Sequence, residues 1–140
     1  MVYAELVSRP VGLVLQVICA GHPPPIVVRD GFAQELPVRG PLLGVVPFAR
    51  FSPMETTIRP GEVMVLVTDG AIEARSARAD DDGSRGFYGQ DRLANVIEEH
   101  ASEPACAIAR SIAQSVIDFG GGRLADDLAI LVLRARDTTR

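Results

Sequence analysis

Two acidic positions, far apart in the chain, carry the clearest chemistry. Asp69 closes the run Val63-Met64-Val65-Leu66-Val67-Thr68, and Asp126-Asp127 opens the run Leu128-Ala129-Ile130-Leu131-Val132-Leu133-Arg134. An apolar, β-branched run ended by Asp-Gly reads as a buried strand with one carboxylate at its tip. The strand fixes the carboxylate, and Gly70 lets the backbone turn away sharply. Carboxylates are hard oxygen donors, so two such tips brought together suit a divalent cation. They begin a metal site without completing one. Taken singly, Asp69 is equally an ordinary turn residue after a strand, and Asp126 and Asp127 are equally edge charges that discourage aggregation.

Other reactive side chains are less well placed. No order of Ser, His and Asp reads as a triad. Cys19 and Cys106 lack CxxC spacing and a histidine cluster, which argues against zinc, and both read as buried free thiols. His22 precedes Pro23-Pro24-Pro25 and reads as a brace for that stiff loop rather than a general acid. Glu73 is placed either to touch a metal-bound water or to open a helix. Asp80-Asp81-Asp82-Gly83 lacks the ligand order and terminal glutamate of an EF-hand, so it reads as a solvated loop within a mobile segment, Ser76 to Phe87. A haloacid-dehalogenase-like site needs a second aspartate two residues after Asp69, and position 71 is alanine.

The elements that must position Asp69 and Asp126 are mostly strands. Val2 to Leu6 and Gly12 to Ile18 read as a hairpin turned at Pro10 and Gly12. Asp30-Gly31 marks a second hairpin between Ile26–Arg29 and Phe32–Leu36. A half-buried edge strand follows near Arg50 to Ile58, and Arg59-Pro60-Gly61 turns into the strand ending at Val67. Ala71 to Arg75 makes a short helical turn. Leu93, Val96 and Ile97 recur at helical spacing within Gly89 to His100, as do Ala105, Ile108, Ile112, Ser115 and Val116 within Pro104 to Phe119. Gly120-Gly121-Gly122 ends that second helix, and the last strand is expected over Asp127 to Arg134.

At 140 residues and 47% apolar, the chain is sized for one domain with a core. A net charge of −4, with all fourteen cations arginine and scattered, argues against a nucleic-acid surface. The apolar runs around Val11 to Ala20 and Val63 to Val67 are too short to span a bilayer, and no secretory signal opens the chain. The expected address is the cytoplasm, with no membrane partner.

In order, Ala20-Gly21-His22-Pro23-Pro24, Leu43-Gly44, Pro60-Gly61-Glu62, Thr68-Asp69-Gly70-Ala71-Ile72-Glu73-Ala74 and Asp126 to Arg134 resemble motifs of bacterial metal-dependent protein phosphatases of the SpoIIE and RsbU type. The likeness runs from about Val2 to Arg134. It implies an α+β fold, a partial PP2C-like sandwich of two antiparallel β-sheets with flanking helices, its N-terminal portion missing, so that residues 1–140 form the C-terminal part of one phosphatase domain.

It also implies Mn2+ or Mg2+ in a two-metal site and hydrolysis of phosphoserine or phosphothreonine, typically on an anti-anti-sigma factor in partner-switching control. Carried over by position, Asp69 and Asp126 match metal aspartates and Gly70 matches the glycine beside the first. Asp127 is adjacent, in a structural or outer role. The family's upstream aspartate-glycine signature and Gly-His-Gly motif have no counterpart here, and Cys19 stands where asparagine is common. The chain as it stands is therefore expected to be inactive or weak, with a non-catalytic module that binds a regulatory protein as the alternative. The strands near Val2 to Ile18 are expected to leave an apolar face that a homodimer would hide.

Overall fold

The computed structural model describes residues 1–79, 85–124 and 126–136. The Asp80-Asp81-Asp82-Gly83 loop therefore lies outside the described residues. Among the described residues, seven strands form two antiparallel sheets, in keeping with the sandwich that the motifs imply. β1 (Val2–Arg9), β2 (Gly12–Cys19) and β5 (Met54–Ile58) make one, in the order β1-β2-β5. β3 (Ile26–Arg29), β4 (Phe32–Glu35), β6 (Val63–Val67) and β7 (Ile130–Arg134) make the other, in the order β4-β3-β6-β7.

The described residues also hold three helices, α1 (Asp69–Ile72), α2 (Gly89–His100) and α3 (Ala105–Phe119). Among the described residues, no helix is long and apolar enough to cross a membrane.

β6 is central and buried along its whole length, because its two faces look into two different cores. Val63, Val65 and Val67 pack with Leu93 and Ile97 of α2 and Ile108, Ile112 and Val116 of α3. Met64 and Leu66 pack instead with Leu15 and Val17 of the opposite sheet. A strand covered on both faces loses alternation and becomes a continuous apolar run, which is the pattern the sequence carries. Helix α3 buries Ile108, Ile112 and Val116 along one stripe. Ile112 is fully buried, so Ile112→Ala is expected to destabilise by about 2–5 kcal/mol. Urea titration should show a lower midpoint at unchanged slope. A shift below about 0.5 kcal/mol would mean that α3 does not close this core.

Polar pins hold the layers in register. Arg29, on β3, donates from Nη2 to Thr56 Oγ1 at 2.9 Å and to the Thr57 carbonyl at 3.0 Å, both on β5 of the other sheet. Its Nε lies 3.8 Å from Glu62. Arg134, at the end of β7, donates to the carbonyls of Gly61, Ala101 and Glu103, joining the β5–β6 turn to the α2–α3 connection. Buried Tyr88 places its hydroxyl 2.7 Å from Ser115 Oγ and its ring edge-on to Phe119, so its polar tip is satisfied.

Several expectations need correction. The strand sought from Arg50 begins at Met54, since Pro53 withdraws a donor just before it. The last strand begins at Ile130 rather than Asp127, because the preceding residues bond to Thr68 instead of extending the ladder. The turn Arg59-Pro60-Gly61 passes from one sheet to the other, so β5 and β6 are neighbours in sequence but not in a sheet.

Cys106 is exposed, not buried. It precedes Ile108 by two residues, which on a helix turns it to the opposite face. The outer face of β1-β2-β5 is mixed rather than apolar: exposed Tyr3 and Val7 alternate with Glu5, and Gln16 and Glu55 stand across from them.

Candidate metal centre

The site is built from the exit of β6. Val67 pairs with Ile130, and Thr68 then carries the contact on toward the second acidic cluster. The Thr68 amide donates to the Ala129 carbonyl at 3.1 Å. Its hydroxyl donates to the Asp127 carbonyl at 2.9 Å and accepts from the Ala129 amide at 3.0 Å. One side chain thus stitches the Asp69 strand to the segment holding Asp126 and Asp127. Thr68→Val keeps the shape and removes both hydroxyl bonds. Because the neighbourhood is partly solvated, the expected loss is about 1 kcal/mol, read as a lower denaturation midpoint, together with weaker Mn2+ binding. A variant that matches the parent in both would show the stitch to be idle.

Gly70 makes the approach close. A Cβ at this position would lie 2.4 Å from the Asp127 carbonyl oxygen and 3.5 Å from the Asp126 carbonyl carbon. The structure therefore brings the backbones at Asp69-Gly70 and Asp126-Asp127 together at one end of the four-stranded sheet. Asp69 Oδ1 accepts from the Gly70 amide at 3.1 Å, and Asp126 Oδ1 accepts from the Asp127 amide at 2.7 Å. Both residues are exposed, which leaves carboxylate oxygens open to solvent. The Asp127 side chain is also exposed, and its contribution to this joint is its carbonyl.

The donors are hard oxygens, the kind that suits Mg2+ or Mn2+. Their number is small. Among the described residues, no group of three His, Cys, Asp or Glu side chains assembles here or elsewhere. Two carboxylates supply two of the roughly six positions such an ion takes, so water would have to fill most of the rest.

Beside Asp69 lies an open cavity of about 330 Å³ walled by Gly21-His22-Pro23-Pro24, Arg39, Glu73 and Gln90. His22 Nδ1 sits 2.8 Å from the Pro23 carbonyl, in keeping with a bracing role. Glu73 follows α1, its amide donating to the Asp69 carbonyl at 2.8 Å. Arg39 and Gln90 both bind Glu35, at 2.8 and 2.6 Å.

Sequence reasoning missed Arg39 and Gln90, and it gave Thr68 no role. A hydroxyl directly before the strand-end aspartate was the available signal for Thr68. Nothing local marks Arg39 or Gln90, which reach the cavity from separate elements. A larger cavity of about 420 Å³, lined by Asp30, Arg59 and Glu62 among others, sits at the opposite end of β6, away from the acidic pair. Cys19 is buried, which raises its thiol pKa, an effect partly offset by the N-terminal ammonium and Arg39. It stays protonated and is no nucleophile at neutral pH.

The sequence pattern of the family described as Stage II sporulation protein E (SpoIIE) matches residues 1–136. Phosphoserine phosphatase RsbU of Bacillus subtilis (strain 168) is 27% identical over 119 residues, covering 84% of this chain and 33% of that protein. The chain thus spans about a third of the length of that relative. The solved phosphatase domain of the cell fate determinant SpoIIE from Bacillus subtilis superposes with a TM-score of 0.72 at 12% identity, covering 100% of this chain and 60% of that one. The RsbU and RsbW domains of Rv1364c from Mycobacterium tuberculosis give 0.70 at 23% identity, covering 95% and 38%. At these identities the structural likeness speaks for the fold.

Proposed function

Since this chain belongs to the SpoIIE family, we propose that it is the C-terminal part of one metal-dependent protein phosphatase domain, acting on phosphoserine or phosphothreonine. The observation that carries the reading is the contact of Gly70 with the Asp126-Asp127 backbone, which sets two acidic strand ends side by side. In this reading Asp69 and Asp126 hold Mn2+ or Mg2+, Gly70 keeps them close, and Asp127 braces the joint through its carbonyl. A divalent ion bound there would supply Lewis-acid polarisation of a phosphoryl oxygen and an acidified water.

The chain's own residues do the positioning. Thr68 fixes the spacing of the two acidic segments, and the two carboxylates set the negative field that selects a cation. The phosphoprotein is proposed to be an anti-anti-sigma factor, as the resemblance to RsbU-type phosphatases implies, and a cytoplasmic location goes with it. Self-association through the outer face of β1-β2-β5 belongs to the same proposal.

A second reading, a non-catalytic module that binds a regulatory protein, is favoured by the absence of a third donor among the described residues. Calorimetric titration with Mn2+, paired with an assay of phosphate release from a phosphoserine protein, separates the two. Saturable Mn2+ binding together with Mn2+-dependent release supports the phosphatase. If Mn2+ gives neither heat nor turnover, the metal-site assignment falls and the binding module takes its place.

A further inference from the structure

The loop 40–53 between β4 and β5 has no role in the core, yet it concentrates apolar surface. Leu42, Leu43, Val45, Val46 and Phe48 are all exposed, Val45 at 67% and Phe48 at 100%. Single exposed apolar residues are ordinary, whereas five within seven positions form a patch that stability does not explain. Phe48 is also held at φ 58°, in the left-handed region, within a turn closed by the Ala49 amide on the Val46 carbonyl at 3.3 Å. Glycine is the residue that suits this position, so a phenylalanine there loses conformational energy as well as exposing its ring.

The near end of the loop is anchored to the wall of the Asp69 cavity. The Gly21 amide donates to the Gly40 carbonyl at 3.0 Å. A Cβ on Gly21 would lie 2.3 Å from the Leu42 side chain, and one on Gly40 would lie 2.2 Å from the Cys19 carbonyl. Gly21 and Gly40 both line the cavity. The apolar loop therefore starts, at Leu42, against the wall of the candidate metal centre. Arg39, held by Glu35 at 2.8 Å, lines the same cavity in a chain whose net charge is −4. A guanidinium at the wall of the cavity beside an apolar loop complements a phosphoserine flanked by apolar side chains.

We infer that loop 40–53 is the docking lip of this site, seating an apolar segment of the phosphoprotein beside its phosphoserine. The inference rests on the phosphatase reading for the nature of the occupant. The probes are a short phosphoserine peptide with leucines on both sides and the same peptide with serines in their place, each titrated against the whole chain in Mn2+. The leucine peptide is expected to bind about tenfold more tightly, the ratio for burying roughly one leucine side chain. In the double variant Val45→Ser, Phe48→Ser that ratio should fall to about one. In Val11→Ser, an exposed apolar residue in the β1–β2 turn, it should persist.

An unchanged ratio in the double variant, or no binding of the leucine peptide to the parent, overturns the inference. Phosphate release is followed in the same samples, so the two readings fail separately. Discrimination without release keeps the lip and removes the catalytic role, while release without discrimination does the reverse.

Discussion

Asp69→Asn is expected to leave the fold standing and to remove the response to Mn2+. The substitution is nearly isosteric, and the bond this side chain makes among the described residues, from the Gly70 amide to Oδ1, is one an asparagine oxygen also accepts. Thermal stability without metal should therefore match the parent. What disappears is one of two formal negative charges in a site that already has few donors. Hard divalent ions depend on charged oxygens, and Lewis-acid assistance is worth several kcal/mol. Loss of the ion should lower Mn2+-dependent phosphate release on the order of a hundredfold or more. Asp126→Asn should act alike, and the pair together should lose no more than either alone, since both disable one ion. Turnover in Asp69→Asn at parental rates would remove this residue from the site.

Gly70→Ala should damage fold and site together. Gly70 does not have positive φ, so its requirement is for space rather than for backbone freedom. The added Cβ meets a backbone carbonyl at 2.4 Å, and a carbonyl in a bonded segment has no rotamer to escape into. Overpacking of this kind costs about 1–3 kcal/mol. Relief requires Asp126-Asp127 to move away from the end of β6, which breaks the Thr68 bonds and spreads the two carboxylates. Stability and Mn2+ affinity should therefore fall in parallel. Gly86→Ala, where an added Cβ meets nothing within 4 Å among the described residues and φ is not positive, serves as the neutral control. If Gly70→Ala behaves like Gly86→Ala, the close approach that unites the two acidic segments is absent in solution.

Much of this architecture is written locally. The hairpin at Asp30-Gly31 was legible because only a few residue types tolerate two successive left-handed positions, here φ 51° and 85°. The helices were legible from the stripe Ile108, Ile112, Val116 and its counterpart Leu93, Ile97. The strand Val63 to Val67 announced its burial by the absence of polar residues. The two acidic segments were legible as types, but their meeting is a tertiary fact, and Gly70, read as the residue of a sharp turn, lies in α1 and is needed for space.

What was hidden depended on partners distant in sequence. Whether the turn after Ile58 stays in one sheet or crosses to the other is decided by which faces Met64 and Leu15 share. The start of β7 was read three residues early because Thr68 competes with the ladder for the groups of Asp127 and Ala129. Arg39 and Gln90 enter the cavity only because both converge on Glu35.

The Arg29 clasp on Thr56 and Thr57 sits beside Glu62, at the start of β6, whereas Asp69 follows its far end. The clasp can therefore be cut, as in Arg29→Met, to test the cohesion of the two sheets without touching the oxygen donors at the other end of the strand.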